Sequence, residues 1–196
     1  PGFNRAVTVR TKQLEQVQVC LGCKGLNFTH DDRFGIMALN TILGNSMSSR
    51  LFQEVREQNA LAYSIYSYIT AYRDTGLLTI YAGTDPVNTL QAIQLIVKEL
   101  RKIRDEGITP AEETRVKNQI KGNLVLSLES SNSHMSRIAR QEIYFGKYLS
   151  VDDAIQAIDH VTAAQIGRIA QQLFTRESLA LSLLGQRLFG APGMPP

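Results

Sequence analysis

Strand-like and helix-like segments are separated along this chain of 196 residues, and the separation limits the folds open to it. Strands are expected near 6–10, 13–24, 60–70, 75–83 and 179–184. Two helices, near 31–43 and 47–58, interrupt the early strands, and helical periodicity then fills most of residues 85–174. Helices grouped after strands predict an α+β domain, with a mainly antiparallel sheet that helices cover on one face.

Helix starts in the second half carry recognisable capping signals. Thr109-Pro110-Ala111-Glu112 has the pattern of a capping box. Asp85-Pro86 predicts an N-cap followed by proline at the first helical position. Ser150 and Thr162 are expected to cap two further helices, and Gly146 to end a helix near 133–145. These signals predict where the helices begin and end.

Length and composition indicate one domain. A hydrophobic content of 43% is enough for a sizeable core, so we expect a single domain over 1–188, followed by a disordered Pro- and Gly-rich tail at 189–196. The chain starts without methionine, and we expect it to be part of a longer polypeptide. Since no apolar run approaches the roughly 20 residues that cross a bilayer, no membrane span is expected.

The charge distribution gives little support to nucleic-acid binding. The net charge is +3, from 21 basic and 18 acidic residues that are interspersed. The densest basic cluster, Arg101, Lys102 and Arg104, has acidic neighbours and is expected to be a solvated face. Those neighbours are Glu99, Asp105 and Glu106.

Cysteine and histidine residues offer few metal ligands. Cys20 and Cys23 lie on an expected strand, so their side chains should point to opposite faces about 10 Å apart. That spacing disfavours a disulfide and favours structural thiols, although a metal or redox role stays open. The three histidines lack partners at ligand spacing, and the inverted zinc motif His-x-x-Glu-His is absent. No cofactor is therefore expected in this chain.

Residues 43–68 are the most informative stretch. Gly44 to Ser46 are turn formers, and Ser46 or Ser48 is expected to cap the following helix. Arg56 falls in the last turn of that helix, where the helix dipole favours any cation. Tyr63 follows on a strand, where alternation places it on one face with Leu61 and Ile65, so one interpretation is a core residue with its hydroxyl at the rim.

Three short motifs follow one another in this stretch. They are Gly44-x-Ser46-x-Ser48-Ser49-Arg50-Leu51-Phe52, Val55-Arg56-Glu57 and Leu61-Ala62-Tyr63-Ser64. Together they resemble the signature of the C-terminal half-domains of pitrilysin-type zinc peptidases (inverzincins), a group that includes the mitochondrial processing peptidases and many bacterial relatives. The resemblance covers roughly residues 6–185.

The resemblance implies a division of labour between two similar half-domains. The N-terminal half carries the zinc and its glutamate base, and the C-terminal half closes a chamber and helps to hold the peptide. The family's arginine and tyrosine, seven positions apart, correspond here to Arg56 and Tyr63. A guanidinium suits binding of substrate carbonyls, and a phenol can donate to the oxygen that becomes negative during hydrolysis. The strand through 81–84 is a candidate edge for an extended peptide.

The resemblance therefore predicts the substrate-binding C-terminal domain of a zinc metalloendopeptidase, inactive alone. Its expected partners are a peptide or protein substrate and a zinc-bearing half in the same polypeptide or in a partner chain, and a dimer is left open. Alternatives are a non-catalytic structural or assembly subunit and a peptide-binding module of the same fold. Arg56 and Tyr63 favour the enzyme, as does a short Gly44–Ser48 loop without the glycine-rich insertion of non-catalytic processing-peptidase subunits.

Overall fold

A single five-stranded sheet organises the computed structural model, which describes residues 3–186. Its strands are β1 (Val7–Thr11), β2 (Val17–Gly25), β3 (Ser64–Ala71), β4 (Gly76–Thr84) and β5 (Leu179–Gly185). Their spatial order is β1-β5-β2-β4-β3. Only the β1–β5 pair is parallel among the strand pairs of residues 3–186, so the expected mainly antiparallel sheet is confirmed. The tail expected to be disordered lies outside the described residues.

The helices form a layer against this sheet. They are α1 (Arg33–Leu43), a π-helix (Phe52–Gln58), α2 (Thr89–Glu106), α3 (Pro110–Ser127), α4 (Ser131–Phe145), α5 (Val151–Asp159) and α6 (Ala163–Leu173). The central strand β2 shows why they lie on one side. Val17, Val19 and Leu21 are buried beneath helices, whereas Gln18 and Cys20, on the opposite face, are only half-buried. The predicted α+β arrangement, with helices on one face, is confirmed.

Most of the predicted helix ends are observed. Thr109 and Glu112 form the reciprocal capping box of α3, with the Thr109 amide donating to Glu112 Oε2 at 2.8 Å. Ser150 and Thr162 cap α5 and α6 as expected. Gly146 ends α4 with a φ of +63°, in the left-handed region that favours glycine.

The predicted start of α2 is wrong. Asp85 accepts a hydrogen bond from the Val87 amide in a turn that precedes the helix, and Asn88 occupies the N-cap position. A turn over 85–88 satisfies the same backbone groups that a helical start would have used. The buried side of α2 consequently runs through Ala92, Ile96 and Ile103.

The solvated-face interpretation of the basic cluster is wrong for Glu99. This side chain is only 2% exposed, because it lies on the side of α2 that also carries Ile96 and Ile103. Burial raises the pKa of Glu99. Arg104, by contrast, makes a pair with its neighbour Asp105 at 2.7 Å, as a solvated face would allow.

The expected peptide edge at 81–84 is also wrong. Tyr81 pairs with Cys20 of β2 on one side and with Tyr66 of β3 on the other, so β4 is an internal strand. Its backbone groups are used within the sheet and cannot take an added strand. The outer strands of this sheet are β1 and β3.

Candidate functional site

The loop before the π-helix is fixed against β3 by close backbone contact. The Ser67 amide donates to the Gly44 carbonyl at 3.1 Å, and a Cβ added at Gly44 would lie 2.7 Å from that amide nitrogen. Only glycine allows this approach without displacement. The loop that introduces Arg56 is therefore anchored to the strand that follows Tyr63.

The predicted serine cap is not formed. Ser46 Oγ lies 3.5 Å from the Thr41 carbonyl and 3.3 Å from Ser48 Oγ, so both candidate hydroxyls interact within the loop instead. No side chain caps the π-helix that follows. The sequence pattern predicted an ordinary helix near 47–58, whereas the observed segment widens into a π-helix at Phe52–Gln58.

Arg50, just before the π-helix, forms an ion pair with Glu112 at the start of α3. Its Nε donates to Glu112 Oε1 at 2.7 Å and its Nη2 donates to Glu112 Oε2 at 2.9 Å, and Nη2 also contacts the Gly107 carbonyl. Burial opposes ionisation of Glu112, but the hydrogen bonds from Arg50 and from the Thr109 amide outweigh it and lower its pKa to about 2. The bidentate ion pair joins the π-helical segment to the start of α3.

Arg56 is presented to solvent near the end of the π-helix. Buried Leu51 and Val55 fix the inner side of the segment. The Arg56 guanidinium lies 4.8 Å from the centre of the Phe52 ring. The Arg56 side chain is 45% exposed, and the Glu57 Oε1 atom lies 3.7 Å from Arg56 Nε. π-Helical turns occur frequently at functional sites. The guanidinium is thus oriented by an aromatic ring while most of its donors remain available.

A strained turn connects Arg56 to Tyr63. The Leu61 amide donates to the Val55 carbonyl at 2.9 Å, and Ala60 has a φ of +50°, which is uncommon for a residue other than glycine. Such backbone strain tends to cluster at active sites and ligand clamps. The chain therefore reverses sharply between the two candidate residues.

Tyr63 lies one residue before β3 and outside the core. Its amide donates to the Gly83 carbonyl at 2.9 Å, but its side chain is 61% exposed. The predicted shared face with Leu61 and Ile65 is wrong. Because the chain bends as it enters β3, Leu61 and Ile65 are buried whereas Tyr63 is exposed. The alternative in which Tyr63 fills the core is removed by its exposure.

The two candidate residues belong to the same end of the sheet. The hydrogen bond from the Leu61 amide to the Val55 carbonyl holds the end of the π-helix, with Arg56, near the start of β3. The Tyr63 amide donates to the Gly83 carbonyl near the end of β4. Within residues 3–186, no hydrogen bond or ion pair joins their side chains to each other. Each is left with unused donors for another molecule.

A tyrosine cluster on the open face of the sheet was missed by the sequence reasoning. Tyr66 and Tyr81 have ring centres 5.0 Å apart, Tyr68 lies 6.0 Å from Tyr66, and the Tyr81 hydroxyl donates to Gln18. Tyr66 and Tyr68 are both partly exposed. Alternation along β3 and β4 was the signal that could have grouped them, because paired strands align their faces.

The cysteines behave as the strand pattern predicts. Cys23 is buried on the helix side, Cys20 is half-buried on the open face, and both thiols are free. Burial raises the pKa of Cys23 to about 12, so its thiol is unreactive near neutrality. Within residues 3–186, no three His, Cys, Asp or Glu side chains come together in a way that could hold a metal ion. The described residues therefore do not fit a zinc site.

A separate cavity of about 740 Å³ lies beneath α4, away from Arg56 and Tyr63. Its walls include parts of α1, α3, α4 and α5, the loop after β2, and Ile69 and Ala71 at the end of β3. None of the helices within residues 3–186 is both long and apolar enough to cross a membrane.

The family model for the peptidase M16 inactive domain matches residues 2–120, more than half of the chain. This chain belongs to that family. The match confirms the resemblance carried by the motifs between Gly44 and Ser64, and assigns the chain to the non-catalytic type of domain found in zinc protease-like proteins.

Relatives of this M16 inactive domain are longer proteins. The uncharacterized zinc protease YmxG of Bacillus subtilis (strain 168) is 44% identical over 184 residues, which cover 94% of this chain and 45% of the relative. A protease from Helicobacter pylori has a crystal structure that matches with a TM-score of 0.84 at 26% identity, over 94% of this chain and 45% of that one. The chain thus spans less than half the length of these relatives.

The fold of the M16 inactive domain is shared still more widely. The crystal structure of a peptidase M16 inactive domain from Pseudomonas fluorescens matches with a TM-score of 0.87 over 98% of this chain and 46% of that chain. At 20% identity this likeness shows the fold alone.

Proposed function

We propose that this chain is the substrate-binding half of a zinc metalloendopeptidase, completed by a zinc-bearing half in the same polypeptide or in a partner chain. Arg56 and Tyr63 are its substrate-contacting residues. The observation that carries the proposal is the exposure of Tyr63 between buried neighbours, on a segment braced by the Gly44 and Arg50 contacts. A tyrosine whose backbone is fixed and whose side chain is left exposed is available to a ligand.

The chemistry of the two side chains suits a peptide bond under hydrolysis. The Tyr63 hydroxyl donates one hydrogen bond to the carbonyl oxygen as that oxygen gains negative charge. Arg56 offers a fixed fork of donors to a neighbouring backbone carbonyl of the substrate. Loss of one oxyanion donor typically lowers the rate by about 100- to 1,000-fold.

Two observations, one from the relatives and one from the structure, support a companion half. The relatives named zinc proteases are more than twice as long as the matched segment. The described part of this chain has no residues grouped as a zinc site. The companion therefore supplies the zinc and the general base, and this chain supplies hydrogen-bond donors. A dimer stays a prediction.

Kinetics of the full-length protein test the arginine's role. Arg56→Ala should raise KM and lower kcat on a cleavable peptide, because its carbonyl contact forms when the peptide binds and strengthens in the transition state. Arg56→Lys keeps the charge but loses the forked set of donors, so its KM and kcat should lie between those of the natural protein and those of Arg56→Ala. Arg73→Ala is the matched control, since Arg73 is exposed in the turn after β3. Unchanged KM and kcat in Arg56→Ala would overturn the substrate-binding role of Arg56.

A further inference from the structure

Three tyrosines, Tyr66, Tyr68 and Tyr81, form a platform on the open face of the sheet, which the helices leave uncovered. The Tyr66 ring centre lies 5.0 Å from that of Tyr81 and 6.0 Å from that of Tyr68. Tyr66 and Tyr68 are 45% and 42% exposed, and the Tyr81 hydroxyl is fixed by donating to Gln18. Large aromatic rings exposed side by side indicate an interaction surface. We call these three residues the tyrosine platform.

The tyrosine platform begins close to Tyr63. Tyr66 follows Tyr63 by three residues, which corresponds to about 10 Å along an extended chain. On the neighbouring strand, Gly83 accepts a hydrogen bond from the Tyr63 amide, and Tyr81, two residues before Gly83, pairs with Tyr66. The platform and the candidate oxyanion donor therefore occupy neighbouring positions of the same two strands.

The other sides of β3 near Tyr63 are closed to a peptide. On the helix side, Leu61 and Ile65 are buried in the core. At the outer edge of β3, the Ser67 amide is already bound to the Gly44 carbonyl, so this part of the edge cannot pair with an added strand. A peptide that is held at Tyr63 and continues along β3 consequently lies over the open face.

The surface around the platform is uncharged. Residues 64–68 of β3 pair with 79–83 of β4, which pair in turn with 18–22 of β2. None of the residues in these three ranges is Asp, Glu, Lys, Arg or His. Aromatic rings favour contact with other aromatic and apolar groups, whereas a charged side chain would lose water there without gaining a partner.

We propose that the tyrosine platform is a substrate subsite that selects an aromatic or large apolar side chain of the peptide. Tyr66 is its central specificity-determining residue, because its ring contacts both of the others. This inference rests on the proposed function, since it follows the peptide from a cleaved bond held at Tyr63. An extended peptide rises by the same distance per residue as β3, so the selected side chain lies about two to four positions from that bond.

Steady-state kinetics of the full-length protein on matched peptides test the subsite. The peptides differ only in carrying Phe, Ala or Glu at one of these positions, on either side of the cleaved bond. At one position the natural protein should have a kcat/KM about 10-fold higher for Phe than for Ala, with Glu lowest. Tyr66→Ala should remove most of this preference, and Tyr66→Phe, which keeps the ring, should retain it. Tyr72→Ala is the matched control, since Tyr72 is exposed directly after β3.

The ratio of kcat/KM on two peptides reports selection independently of folding, because both peptides are cleaved by the same folded fraction of one sample. The proposal would be overturned if the natural protein preferred Phe at none of the positions, or if Tyr66→Ala left the preference intact. An equal loss of activity on every peptide in Tyr66→Ala would also overturn it, and would indicate instead that the platform contacts the zinc-bearing half.

Tyr63→Phe separates this proposal from the proposed function. It should lower kcat on all the peptides and leave the ratio between the Phe and Ala peptides unchanged. If Tyr63→Phe kept full activity while Tyr66→Ala lost the preference for Phe, the subsite would stand and the oxyanion role would fall. If Tyr63→Phe lowered the rate while Tyr66→Ala kept the preference, the subsite alone would fall.

Discussion

The sheet end that carries Arg56 and Tyr63 and the region around α4 differ in how they are held. The first is fixed from within this domain by the Gly44–Ser67 contact and by the Arg50–Glu112 ion pair. The second lies over a cavity and exposes its apolar side. The difference teaches that contacts within this domain fix its candidate site, whereas the same domain buries little of α4.

The largest effect expected within the braced region comes from Gly44→Ala. The added Cβ would meet the Ser67 backbone nitrogen and Oγ at 2.7 Å, so the loop or β3 must shift, and we expect a loss of about 3 kcal/mol of unfolding free energy. Denaturant unfolding of this chain measures it.

Gly122→Ala is the matched control for that substitution. Gly122 lies inside α3 with open space around it, so alanine should stabilise the chain by about 0.5–1 kcal/mol through helix propensity. If Gly44→Ala were as harmless as Gly122→Ala, the loop would not be anchored to β3 as described.

Hydrogen exchange compares α4 with α1, the helix that leads into the anchored Gly44 loop. Eight residues of α1 are buried, whereas in α4 only Gln141 is. Amides of α4 in this chain should therefore exchange about 100-fold faster than those of α1, since a helix with little buried surface opens at a lower free energy. Equal protection of the two helices would show that α4 is held by this domain after all.

Local signals were the part of the fold that the sequence reasoning predicted best. The caps at Thr109, Ser150 and Thr162 and the stop at Gly146 depend on hydrogen bonds within a few residues, and all four are observed. The last strand was expected in the sheet, but nothing local indicated that it would lie between β1 and β2.

The candidate site shows where sequence patterns stop being informative. Motif resemblance singled out Arg56 and Tyr63, but strand alternation placed Tyr63 on a buried face. The observed exposure follows from the bend before β3 and from the positive φ of Ala60, which depend on the π-helix and its bond from Leu61 to Val55. Glu99 was misplaced for a similar reason, since burial on α2 is set by neighbours distant in sequence.

The smallest expected effect is a pH dependence of the brace. Because the folded pKa of Glu112 is lowered from 4.5 to about 2, its contribution to stability is complete above about pH 5 and is lost as the pH falls toward 2. The stability difference between the natural chain and Glu112→Gln should shrink by about 1–2 kcal/mol over that range. Denaturant melts at several pH values measure it, and a constant difference would contradict the ion pair's role.

The oxyanion role of Tyr63 is tested most directly by Tyr63→Phe in the full-length protein, with Tyr72→Phe as control. Tyr72 is an exposed tyrosine directly after β3, whereas Tyr63 directly precedes it. Steady-state hydrolysis of a peptide should show kcat at least 10-fold lower for Tyr63→Phe and unchanged for Tyr72→Phe, with equal melting temperatures for both. Full activity of Tyr63→Phe, or a loss explained by unfolding, would contradict the account.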